Sequence, residues 1–98
     1  MFDFHRWREW LRGRAADLEA EGFAVTFKTN DEYLPGTCIE IQTNSLAGTF
    51  SNWENGFADY DFLDLRTDQT SMEAMIPVDD SNFEAKFVAF VKRFRQME

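Results

Sequence analysis

Three aspartates crowd one short stretch in the middle of the chain, Asp59, Asp61 and Asp64. Carboxylates spaced in this way are the raw material of a divalent-cation site. If the stretch is a strand, alternation puts Asp59 and Asp61 on one face, about 7 Å apart. A calcium loop needs more oxygen ligands than these, placed at fixed offsets around a glycine turn, and that pattern is missing. A second arrangement, Glu84-Ala85-Lys86, has the E-x-K form of metal-dependent nucleases. Those enzymes carry the motif on a strand facing the upstream acid. Here it opens a helical stretch, and a nuclease with a net charge of −8 would repel its own substrate. His5 is the only histidine and Cys38 the only cysteine, so neither a Ser-His-Asp set nor a zinc site can be assembled. Cys38 reads as a half-buried small hydrophobe in a strand. The sequence therefore points away from catalysis and away from a bound metal or cofactor.

A binding surface is the chemistry that remains. Trp53, Phe57 and Tyr60 flank a short polar turn and stand among Glu54, Asp59, Asp61 and Asp64. Aromatic anchors ringed by charge are what protein interfaces use. Trp53, Glu54, Asn55, Asp59, Tyr60, Asp61 and Asp64 are thus the candidate partner-binding residues. The competing reading places Trp53 and Tyr60 in the core or in cross-strand pairs.

The charge is unevenly distributed. Residues 29–81 hold eleven acids against one base, Arg66, whereas residues 1–28 balance five against five and residues 82–98 are net positive by two. An acidic field of this kind disfavours nucleic acid and anionic membranes and speeds encounter with a basic protein. No apolar run approaches the ~18 residues of a membrane span. The opening Met1-Phe2-Asp3-Phe4 is not the basic-then-apolar pattern of a secretory signal. The expected compartment is the cytoplasm.

The elements that must position these residues follow from periodicity. The chain's 98 residues suit a single domain spanning 1–98. Phe4, Trp7, Leu11 and Leu18 recur at helical spacing over residues 3–20, widened by Trp10 and Ala15, with Asp3 as cap and Glu21-Gly22 as stop. Arg6, Arg8, Glu9 and Arg12 then form a solvated face. Alternating apolar residues predict strands over 23–28, 37–43, 47–54 and 57–66, with a fifth over 71–76 ending at Pro77. Asn55-Gly56 predicts a two-residue type I′ hairpin. A parity slip between Phe62 and Leu63 predicts a bulge near Phe62 or a strand covered on both faces. Phe83, Phe87, Phe90, Val91 and Phe94 predict a C-terminal helix over 82–97, opened by a Ser81/Glu84 capping box. Because the connections are hairpin-short, parallel crossovers are excluded over residues 22–76. The expected fold is an α+β two-layer sandwich: N-terminal helix, antiparallel meander of four or five strands, C-terminal helix, both helices on one sheet face. By parity the other face shows Glu40, Gln42, Ser51 and some of the three aspartates.

At the hairpin the sequence resembles a known family. Gly22-Phe23-Ala24-Val25, Leu34-Pro35-Gly36, Gly48-Thr49-Phe50-Ser51-Asn52-Trp53-Glu54-Asn55-Gly56 and Asp59-Tyr60-Asp61-Phe62-Leu63-Asp64 resemble the TriTu family of bacterial immunity proteins, across roughly residues 22–96. That family carries a tryptophan-glutamate-small-glycine turn, an acidic strand after it and a closing C-terminal helix. This chain has Asn55 where serine or threonine is expected and Asp61 where glutamate is expected, swaps that keep the turn and the charge. The resemblance implies an antidote, made beside a polymorphic toxin, that binds the toxin domain and blocks it. A basic toxin would suit the acidic segment. The alternative is a secretion chaperone or adaptor that holds an effector protein and forms a homodimer.

Overall fold

Asp3 starts the first helix, its carboxylate accepting the Arg6 amide at 3.2 Å. In the computed structural model, which describes residues 2–98, α1 runs from Phe4 to Ala20. It ends in a Schellman turn: Gly22 takes φ 105°, its amide reaches the Glu19 carbonyl and the Phe23 amide reaches that of Leu18. Only a residue free to adopt positive φ closes the helix in this way, and glycine supplies it.

Five antiparallel strands follow: β1 (Ala24–Asn30), β2 (Gly36–Gln42), β3 (Leu46–Trp53), β4 (Phe57–Asp64) and β5 (Gln69–Pro77). Their order in the sheet is their order in the chain, as the short connections require. α2 (Phe83–Met97) closes the domain.

Both helices lie on one sheet face. Ile39, Ile41, Leu46, Phe50, Ala58 and Phe62 point inward and are buried with Trp7, Leu11 and Leu18 of α1 and Phe83, Phe87, Phe90 and Phe94 of α2. The core is largely aromatic. The Phe50 ring meets Phe83, Phe87 and Phe90 at centroid distances of 5.8, 5.3 and 5.5 Å, separations at which ring pairs add to the area they bury. Gly48 leaves room for α2: a Cβ there would stand 2.7 Å from Phe94 Cδ2.

Four local expectations are corrected. The β3–β4 connection is a three-residue loop, Glu54-Asn55-Gly56, in which Gly56 alone takes positive φ (88°) and its amide bonds the Trp53 carbonyl. A type I turn closed by a left-handed glycine replaces the type I′ hairpin. The bulge lies at Asp59, not Phe62. Ala58 pairs with Ile76 and Tyr60 with Glu73, so two steps on β4 oppose three on β5. The extra residue is in β5, where Met75 takes φ 58° and donates its amide to Asp59 Oδ1 at 2.8 Å. β4 itself keeps strict alternation, and Leu63 lies half-exposed on the outer face.

The Ser81/Glu84 capping box does not form. Asp79 organises the entry to α2 instead, its Oδ1 accepting from the Ser81 amide and hydroxyl and the Asn82 amide. Arg8 is not on a solvated face. It is 9% exposed, because the helix turns it toward the end of β2, where carbonyl and hydroxyl oxygens are available to its guanidinium.

Candidate partner-binding surface

Among the described residues, no element covers the sheet face away from the helices. Register assigns its rows. Thr26, Glu40, Thr49, Asp61 and Met72 lie side by side across all five strands; Lys28, Cys38, Ser51 and Asp59 form the next row. Glu40, Asp59 and Asp61 therefore share one surface, with Met72 exposed at its edge. Burial pushes the Asp61 carboxyl above the ordinary carboxylate range; the Thr49 hydroxyl opposes that rise and the Asp59 charge adds to it.

The candidate residues separate into three places. Asp59, Asp61 and Trp53 belong to the outer face. Trp53 pairs with Gly36 at the end of the sheet, where it walls a shallow notch with Lys28, Cys38 and Ser51. Glu54 and Asn55 form the exposed tip of the turn, and Glu54 Oε2 lies 3.9 Å from His5 Nε2. Tyr60 and Asp64 are on the helix side. The Tyr60 ring packs against Phe62 and Phe90 at 5.6 and 6.0 Å, and its hydroxyl donates to Glu73. Asp64 accepts the Arg66 amide at 2.9 Å, which holds its carboxyl below the usual range, and its side chain also meets the Arg66 guanidinium. The three aspartates thus do not converge. Among the described residues no three His, Cys, Asp or Glu side chains gather as a metal site, and no helix is long and apolar enough to cross a membrane.

Features at this end of the sheet that periodicity does not mark are Tyr33 and Leu34, exposed in the β1–β2 loop, and the buried Arg8. The one sequence signal for the first two is an aromatic-leucine pair before Pro35 within an otherwise polar break. Arg8 carries no signal, since only the tertiary approach of α1 to β2 buries it.

Residues 5–93 match the profile of the immunity protein TriTu. No curated protein and no solved structure matches the chain. The match begins within α1, upstream of the Gly22–Asp64 segments that first carry the likeness, takes in the whole meander and ends within α2. The Trp53–Gly56 turn and the acidic strand after it lie within the matched residues, and the chain belongs to the TriTu family of immunity proteins.

Proposed function

We propose that this chain binds a cognate toxin domain in the cytoplasm and neutralises it by occlusion, using the outer face of its sheet. The observation that carries this reading is the uncovered face itself: five strands wide, with Glu40, Asp59 and Asp61 clustered on its central strands. Toxins that act on nucleic acid are commonly basic, and an acidic sheet face complements such a surface and can stand where phosphates would. Inhibition by binding asks for no catalytic group.

The test is capture of prey by the tagged chain from bacteria that make it, followed by co-expression with the captured domain. Retention of a toxin domain and restored growth support the reading. Capture of a non-toxic effector that is then released to a secretion machine replaces it with a chaperone role. Electrostatic complementarity is tested separately by salt. The Debye length falls from about 10 Å at 0.1 M to about 3 Å at 1 M, so affinity should drop steeply across that range; a flat response removes the acidic face as the mechanism.

A further inference from the structure

Tyr33 is fully exposed, and it sits at φ 55°, a left-handed conformation that bulky side chains rarely adopt. A tyrosine that touches nothing gains no burial to offset that conformation. The loop around it is nevertheless held firmly. Arg8, itself buried, reaches it from α1 with all three guanidinium nitrogens: Nη1 meets Asp31 Oδ1 at 2.8 Å, Nη2 donates to the Gly36 carbonyl at 2.9 Å and Nε to Thr37 Oγ1 at 3.1 Å. Asn30 Oδ1 accepts the Glu32 amide at 3.0 Å, and the Pro35 carbonyl accepts the Glu54 amide at 2.9 Å. The second of these ties the loop to the Trp53–Gly56 turn.

A rigid loop thus displays an aromatic ring beside the exposed Leu34, at the same end of the sheet as Trp53. This is the arrangement of an interface anchor, whose backbone is already ordered before the ring is buried. Asp31 is neutralised by Arg8, while Glu32 in the same loop and Glu54 in the turn tied to it are exposed carboxylates. We infer that Tyr33 is an anchor of the toxin interface, entering an apolar socket with a basic rim on the toxin domain. The inference rests on the toxin-binding reading above and extends the contact surface from the open face onto the β1–β2 loop.

The test uses the intact chain and the toxin domain it retains. Tyr33→Ala weakens binding about 30-fold or more without lowering Tm. Tyr33→Asn weakens binding while raising Tm by a few degrees, because asparagine tolerates positive φ; a merely structural tyrosine would move both quantities the same way. The chain has two tyrosines, so nitration read by mass spectrometry can follow Tyr33 directly: modified in the free chain, protected in the complex. If Tyr33→Ala changes affinity by less than about twofold while Asp59→Asn with Asp61→Asn weakens it, this inference fails and the open-face reading stands. If neither set changes affinity for a domain that is still captured, both fail.

Discussion

The Trp53 indole occupies the space that a side chain at its cross-strand partner Gly36 would need: a Cβ there would lie 3.0 Å from Cδ1 and 3.1 Å from Nε1. The glycine is required by this close approach and not by a positive φ. Gly36→Ala should displace the indole at a cost of about 1–2 kcal/mol. In an NMR spectrum the Trp53 indole N–H should shift while those of Trp7 and Trp10 stay in place.

Gly48→Ala should cost more. Its Cβ would come within 2.7 Å of Phe94 and 3.3 Å of Phe90, two buried rings of α2 with no free side to move toward. Overpacking of this kind costs about 3 kcal/mol, which for a chain of this size lowers Tm by roughly 4–8 °C per kcal/mol. Thermal unfolding of the two alanine variants should rank them in that order.

Arg8→Met keeps the volume of the stem and removes every contact to Asp31, Gly36 and Thr37. A loss of about 2–3 kcal/mol is expected, together with faster amide exchange across the β1–β2 loop. Arg8→Lys should not rescue it, because one ammonium cannot reproduce a three-nitrogen fork.

Acid should destabilise the fold. Asp79 is held below the ordinary range first by the Ser81 hydroxyl, and Asp80 first by the Asp3 amide at 2.8 Å and then by the Trp7 indole N–H at 2.9 Å. The stability these groups contribute is full above the unfolded carboxyl value and is lost as pH falls through their lower folded values. Asp61 works in the opposite direction. Its folded value is raised, so its cost is present at neutral pH and disappears as pH falls to the ordinary range. Asp61→Asn should therefore raise Tm near neutrality, and the gain should vanish in acid. The same variant should weaken toxin binding.

Asn52 is fully buried on the inner face of β3, and neither amide atom has a hydrogen-bond partner among the described residues. Leaving such a group unpaired costs about 1–3 kcal/mol. Asn52→Val, an apolar residue closer in volume than leucine, should raise Tm by several degrees; a fall would mean that the amide is paired in solution.

Period-2 alternation and two helical stripes suffice for the architecture of this chain. Ile39 and Ile41, Phe50, and the Phe83–Phe94 series each announce one buried face, and the short connections leave only a meander. What could not be read was decided by carboxylates that compete for backbone amides, one of them distant in sequence. The Asp59 carboxylate takes the amide of Met75, which shifts the bulge into β5. Asp79 takes the Ser81 amide that the Glu84 side chain of a capping box would have used. Strand parity placed Asp59 and Asp61 on the open face, whereas Tyr60 and Asp64 turned inward with it. Trp53 stays at the sheet end because Gly36 makes room there, a pairing that depends on register and not on either residue alone.

The sheet's sequential order has a further bearing on how the domain assembles. Each strand finds its partner one hairpin away, so the meander can assemble from local contacts, which favours quick folding. Its inner face, however, stays open until α2 arrives, because Phe83, Phe87, Phe90 and Phe94 supply the cover for Phe50 and Phe62. The chain thus becomes a finished domain only when its last helix, Phe83–Met97, is free to dock. A copy lacking α2 would expose a sticky sheet and become a substrate for proteases.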